Sequence, residues 1–397
     1  MVRRAERRRR LLAWGLIAPS LVFVLIAFAA PIGMFLFRSV ANPEIPGTLP
    51  RTLARLRKWD GRGLPDERAY AALVADLKAL ADSPGLAILG RRLNYNVTGF
   101  RSLVIRTANR LPAGDVASHR EALIALDPRW GDAEYWKTIK AEGGRFTPFY
   151  LLSALDLRLG ADGTIVRAPP ETTLYNDLFV RTFWISACVT VLCLLIGSPV
   201  AYVMAASPAR LSNWLLVLVL LPFWTSVLVR TTAWVILLQT EGLLNQLLLF
   251  LGLLSAPAKL IFNRVGLYIA MTHVLLPFLI LPLYSVMKGI PSEHMRAAAS
   301  LGADPVTAFR RVYLPQALPG IVAGCSLVFV IALGFFITPA LVGGPGDQMV
   351  SYFIAYFTNE SVNWGMGAAL ATLLLTVVTV LFAAVGRIIG FERLRVR

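Results

Sequence analysis

Six stretches of this chain are apolar for long enough to cross a bilayer, and that constrains the fold more than any motif. They run Leu11–Phe37, Leu178–Ala206, Leu211–Leu238, Val265–Met287, Leu318–Leu341 and Trp364–Ile389. A membrane-crossing helix needs about 20 consecutive apolar residues. A shorter run, Gly242–Leu254, is too short to cross and suits an interfacial or re-entrant helix. Only 16% of residues are charged, against about a quarter in soluble domains. The expected fold class is an all-α polytopic membrane protein with six transmembrane helices and a large extracytoplasmic insert between helices 1 and 2.

Charge placement orients the spans. The first run follows Arg3, Arg4 and Arg7 to Arg10, and it is too long for a signal-peptide core, so it reads as an uncleaved helix with a cytoplasmic N-terminus. By parity, the turn at 207–210, the loop 288–315 and the C-terminus are cytoplasmic too. Those pieces carry Arg210, Lys288, Arg296, Arg310, Arg311, Arg387, Arg393, Arg395 and Arg397. The outer loop 342–363 has no Lys or Arg. The net charge of +16 therefore reads as a topology signal and as attraction to anionic membrane lipid. No basic stripe with interleaved aromatics points to nucleic acid. Cys188, Cys193 and Cys325 all lie in apolar runs, without metal or disulfide spacing.

The chain divides into an N-terminus with helix 1 (1–40), a polar insert (41–176) and a five-helix core (177–397) with a cytoplasmic loop at 291–318. The insert holds 19 Lys or Arg and 15 Asp or Glu, enough residues for one small domain. Helical spacing or length predicts helices at Arg68–Ala81, His119–Leu126 and Ala133–Ala141, and alternation around 160–163 predicts a hairpin over Leu155–Val166. Trp130, Tyr135, Trp136, Phe146, Phe149 and Tyr150 read as a small core with interfacial aromatics, or else as a docking face.

The loop is heavily punctuated. Ser292 can cap a helix beginning at Glu293, and Gly302 can stop it in a left-handed turn. Asp304 can cap a second helix with Pro305 in its first turn, ending near Leu314-Pro315. Two short helices with a tight bend make a rigid knob.

Ala297, Ala298, Gly302, Phe309, Leu314 and Pro315 resemble the EAA loop of ABC importer permeases. Arg296 stands where that pattern has glutamate, and Glu293 lies one turn earlier on the same face. Pro222 to Thr231, Gly242 to Asn245, Gly197 to Tyr202 and Thr338 to Pro345 look like the spermidine/putrescine branch. The resemblance implies a permease subunit that moves a small solute, a polyamine such as spermidine or putrescine, by alternating access. It implies as partners a cytoplasmic ABC ATPase dimer that docks on Glu293, Arg296 and the matching loop residues, a second permease subunit and an extracytoplasmic solute-binding protein. ATP and Mg would sit on the ATPase, and this chain would bind no cofactor. The insert is longer than the resemblance explains.

Charge within spans is expensive and marks function by default. Arg181 lies near a helix end and can snorkel. Arg230 sits deeper, among Ser226, Thr231 and Thr232, and His273 lies beside Pro277. With Trp224, Glu241 and Asp347, Arg230 and His273 are the candidate translocation-path residues. Pro199, Pro222, Pro277, Pro282 and Pro339 mark expected kinks. The chain has no phosphate-loop motif, no catalytic constellation and no metal spacing among His119, His273 and His294. A membrane-anchored sensor or enzyme working through the insert is the alternative reading.

Overall fold

The computed structural model describes residues 14–111, 117–159 and 164–389. The arginines at 3–10, the start of the first run, the turn at 160–163 and the basic tail past 389 lie outside the described residues. The chain forms two compact units that divide between Leu151 and Leu152.

The first unit begins with α1 (Trp14–Phe37), an apolar helix long enough to span. Its ladder widens by one residue over Leu25–Ala29, where Ala30 N–H bonds to Leu25 O, just ahead of Pro31. A wide turn before a proline makes room for a ring that has no N–H to give.

The chain then folds into α2 (Glu44–Thr48), α3 (Pro50–Leu56), α4 (Glu67–Leu80), α5 (Pro84–Asn94), α6 (Phe100–Asn109), α7 (His119–Leu126) and α8 (Ala133–Ala141). The helices α4, α7 and α8 start where side chains can cap them: Asp66, Ser118 and Asp132 each accept a backbone N–H of the first turn. Their apolar faces meet in one core around Leu73, Leu77, Leu89, Phe100, Leu103, Trp130 and Trp136. Trp130 organises it. Its indole N–H donates to Thr107 Oγ1 at 2.8 Å, and its carbonyl accepts from the Tyr70 hydroxyl at 2.8 Å and Trp136 Nε1 at 3.0 Å. Of the aromatics in doubt, Trp130, Trp136 and Tyr150 are core residues, whereas Phe146 is exposed.

One ion pair is buried here. Arg92 Nη2 lies 2.6 Å from Glu142 Oε2, and the guanidinium side chain has no solvent exposure. Asn96 Nδ2 and Thr147 Oγ1 also donate to the Glu142 carboxylate, and Arg92 lies 4.5 Å from the Phe149 ring centroid. Nearby, the outgoing and returning chain are stapled together. Asn42 N bonds to Arg145 O, Thr147 N bonds to Val40 O, and Ala41 pairs antiparallel with Phe146.

The second unit opens with a hairpin, β1 (Leu157–Leu159) against β2 (Ile165–Arg167), as alternation predicts. Its helices are α9 (Tyr175–Ala206), α10 (Ala209–Trp224), α11 (Val227–Leu237), α12 (Leu243–Phe250), α13 (Arg264–Lys288), α14 (Ser292–Ser300), α15 (Pro305–Gly334), α16 (Ile337–Val342), α17 (Val350–Ala355) and α18 (Trp364–Ile389). Among the described residues five helices are long and apolar enough to span, or six when the bent pair α10–α11 counts as one. The membrane core is a three-helix pack of α9, α13 and α15 through Ile185, Val189, Leu275, Leu279, Leu283 and Val328. The backbones come close at Gly324, where a Cβ would lie 3.0 Å from Leu279 O, tighter than an ordinary contact, so glycine favours this approach.

Three expectations change. The third span is not continuous: α10 and α11 meet at 96°. Pro222 withholds a donor, Thr225 and Ser226 are extended, and Ser226 Oγ accepts from Val229 N to start α11 afresh. The fifth run also breaks, at Phe335–Phe336 between α15 and α16. Conversely, the second loop helix does not end at Leu314-Pro315. It continues through α15, because the ladder widens over Phe309–Tyr313, with Leu314 N–H bonded to Phe309 O, just before Pro315. The same device accommodates Pro31.

Candidate functional site

The loop between α13 and α15 is built as a fixed bend. α14 begins at Ser292, one residue before the expected start, and Ser292 Oγ turns to Glu293 Oε1 rather than capping the helix. At the far end Gly302 has φ +85°, Ala303 N bonds to Ala298 O, and Gly302 N bonds to Ala299 O. These two bonds close a helix on a left-handed residue, a conformation any Cβ strains. Asp304 Oδ1 then accepts from Val306 N at 3.0 Å and Thr307 N at 3.1 Å. The Thr307 hydroxyl and these backbone N–H groups hold the Asp304 carboxyl below the usual range.

The inner face of the bend is anchored to the core. Ala298, Ala308 and Tyr313 are buried. Phe309 and Tyr313 stack at 5.5 Å, and Tyr202 of α9 meets both edge-on. His294 Nδ1 lies 2.8 Å from Gln316 Oε1, tying α14 to α15. The outer face is solvent-exposed. Glu293 and Arg296 form a 2.7 Å ion pair there, with Ala297, Gly302 and Pro315 exposed and Leu314 partly so. The Glu293 carboxyl sits below its ordinary range, first through its backbone hydrogen bond and then through Arg296.

The other candidates fall into separate places. Arg230 and Trp234 share a face of α11, four residues apart. Trp234 Nε1 donates to His273 Nδ1 of α13 at 3.1 Å, which leaves the proton of a neutral imidazole on Nε2. Arg230 Nε is buried and has no hydrogen-bond partner among the described residues. Next to Arg230, Thr231 bonds to Thr338 of α16 at 3.1 Å, so both broken spans meet there. Trp224, at the 96° bend, is 77% exposed. Glu241 is exposed, and its side chain joins none of these groups.

Asp347 is elsewhere and fully engaged. Arg264 Nε bonds to its Oδ1 at 2.8 Å, and Gly344 N bonds to its Oδ2 at 3.1 Å. Arg181 Nη1 reaches the neighbouring Gly346 carbonyl at 2.5 Å, and Thr182 Oγ1 accepts from Val350 N at 3.0 Å. One loop is thus tied to α9 and α13 by side chains. Sequence reasoning saw Arg181 as a snorkelling residue and missed Arg264 as the partner of Asp347, 83 residues away. The absence of any Lys or Arg from the loop around Asp347 was the available hint. Among the described residues no cluster of His, Cys, Asp or Glu could hold a metal. An apolar groove of about 600 Å³ between α9 and α18, lined by Phe179, Val180, Phe183, Trp184, Leu373 and Val377, includes none of the charged candidates.

Residues 197–390 match the family described as binding-protein-dependent transport system inner membrane component. Among similar proteins, the spermidine/putrescine transport system permease protein PotB of Haemophilus influenzae is 38% identical over 204 residues, half of this chain and 71% of that one. The inner membrane ABC transporter permease protein YdcU of Escherichia coli is 32% identical over 259 residues, 59% of this chain and 81% of that one. The crystal structure of a bacterial ABC transporter involved in import of the acidic polysaccharide alginate aligns over 54% of this chain and 80% of its own, at 19% identity and TM-score 0.42. Several apolar spans, the family match and the permease relatives define a multi-pass inner-membrane transport subunit, not an enzyme. The chain belongs to the family of binding-protein-dependent transport system inner membrane components.

Proposed function

We propose that this chain is the permease subunit of an ATP-driven importer that moves a small solute by alternating access, and that the solute is a polyamine such as spermidine or putrescine. The observation that carries the transport reading is the family match over the core. The polyamine reading draws on the names of relatives such as PotB. In this reading the loop 291–318 docks on a cytoplasmic ATPase dimer, which holds ATP and Mg. A second permease subunit completes the path, and a solute-binding protein delivers the solute from outside. Both termini are cytoplasmic and 41–176 is extracytoplasmic, in keeping with the basic residues around the loop and tail. The broken third span, with Trp224, Arg230 and His273, is the natural candidate for the path, because irregular backbone in a membrane survives where it lines a cavity.

The test is copurification with the ATPase and permease chains of its own transport system, wild type against Gly302→Asp. Aspartate at a φ of +85° strains the bend and puts charge at its tip. Wild-type assembly that the variant loses supports docking through the bend. A wild type that brings down no ATPase sinks the importer reading. Spermidine uptake into vesicles carrying the whole system decides the solute.

A further inference from the structure

The groove between α9 and α18 takes no part in the candidate site, and its depth says what it fits. Along α9 it runs from Asn176 to Ala187, a distance of about 17 Å at 1.5 Å per residue. The hydrocarbon of one leaflet is about 15 Å deep, half the core of a bilayer. A helix from another subunit would cross the whole core, whereas an acyl chain ends where this groove ends. The walls are apolar, and Val180 and Trp184 are 70% and 61% exposed, so the groove opens sideways into the bilayer. It is α18 that leaves the space: this helix is buried from Gly365 to Leu370 and nowhere over 371–384.

The mouth of the groove is built differently. Leu155 and Asn176 line it, with Asn176 Nδ2 donating to Leu155 O at 3.1 Å. Beside them Asp156 is buried at φ +56°, and its carboxylate accepts from Leu174 N at 3.0 Å, Tyr175 N at 3.1 Å and Asn176 N at 2.8 Å. Ala168 N donates to Asp156 O at 2.9 Å. Both ends of the β1–β2 hairpin are thereby fixed to the start of α9. Arg158 follows closely on Asp156, and Arg167 directly precedes Ala168. Both arginines are exposed, and neither forms an ion pair among the described residues. Of the described acids on this stretch, Asp156 is spent on backbone N–H groups and Asp177 lies one turn from Arg181, which leaves Glu171. The register sets Leu159 opposite Ile165 and Leu157 opposite Arg167. One hairpin face is thus apolar at its tip and basic at its base, as suits a boundary between lipid and water.

We propose that this groove holds one acyl chain of an anionic phospholipid, drawn from the leaflet at the Tyr175 end of α9, with Arg158 and Arg167 of the hairpin on its phosphate. The chain fills space between α9 and α18 that no side chain fills, and so supports the part of α18 that the protein leaves unburied. Arginine suits the phosphate, because its planar fork donates parallel hydrogen bonds. The hairpin is already tied to α9, so the two guanidinium groups are held near the mouth before a lipid arrives, and little ordering is left to pay for on binding.

The experiment is native mass spectrometry of the full-length protein released from nanodiscs of equal parts phosphatidylglycerol and phosphatidylcholine. The wild type carries phosphatidylglycerol over phosphatidylcholine by roughly tenfold, as two arginines at a membrane surface favour anionic lipid. The double variant Arg158→Gln, Arg167→Gln keeps a bound lipid but brings that ratio close to one. Ala187→Phe, at an exposed position, fills the deep end of the groove and loses most of the bound lipid. Val377→Trp does the same from the opposite wall, so the result does not hang on one variant's folding. Hydrogen exchange over 371–384 in the wild type is slower in phosphatidylglycerol nanodiscs than in phosphatidylcholine ones. If both groove variants carry as much lipid as the wild type, the groove is not the site. If the double variant keeps its preference for phosphatidylglycerol, the arginines do not hold the phosphate. A wild type that carries no lipid at all overturns the proposal outright and leaves the groove to a protein partner.

Discussion

The folded segment after α1 and the packed spans of the second unit solve one problem in opposite ways. Both must satisfy polar groups inside an apolar interior. The segment does it with tertiary partners: Trp130 with Thr107, Tyr70 and Trp136, and Arg92 with Glu142. Three of its helices, α4, α7 and α8, start on side-chain caps. The spans do much of it locally, beside a few pairs between helices such as Thr231 with Thr338 and Trp234 with His273. Thr182, Thr190, Ser198, Thr372, Thr376 and Thr379 each return a hydroxyl to the carbonyl four residues back on their own helix. In lipid the helix is complete within itself, and a hydroxyl needs nothing more. In a domain that unfolds into water, every buried polar group must instead beat water as a partner.

The largest break in that comparison is Glu142→Ala. It leaves the Arg92 guanidinium buried without a counter-charge, which costs about 3–5 kcal/mol. Hydrogen exchange should show fast opening across 42–150 and unchanged protection in α9, α13 and α15. Equal loss in both would mean that the two units do not fold as separately as their cores suggest.

The contrast also explains what could be read from sequence. Helices α7 and α8 form at the bounds expected from the sequence, and the structure shows Ser118 and Asp132 capping them. The second, fourth and sixth spans were legible from length alone. The break in the third span was not, because Thr225 and Ser226 sit in an unbroken apolar run, and prolines in spans are too common to locate one bend. The run through Pro315 was hidden for the converse reason: proline signals a stop, and only the wide turn before it shows why there is none. In the candidate site, the turn at Gly302 and the cap at Asp304 were visible as local chemistry. The stacking of Tyr202, Phe309 and Tyr313 and the pairing of Arg264 with Asp347 were not, because their partners are distant in sequence.

A smaller effect comes from Asp347→Asn. It removes a buried carboxylate, but its partner Arg264 is 46% exposed and can turn to water. A loss of about 1–2 kcal/mol is expected, read as a lower melting temperature of the detergent-solubilised protein. A loss as large as that of Glu142→Ala would mean that the pair is sealed from water.

The smallest effect is the sharpest. Asp66→Ala removes a cap from α4 and should cost about 1 kcal/mol, while Thr372→Val removes a hydroxyl from α18 and should change stability by less than about 0.5 kcal/mol. Local hydrogen exchange at 67–80 and 364–384 reads the two side by side. Equal costs would erase the distinction between the two interiors.

The staple at Val40–Asn42 and Arg145–Thr147 has one more consequence. The polypeptide leaves and comes back at a single point. For the chain on either side, the intervening hundred or so residues are a detour of almost no net length. A graft that keeps its two ends equally close, or a minimal two-residue bridge, would leave the path of the backbone beyond it as it is. Such a site accepts new cargo easily over evolutionary time, and it offers the engineer a socket.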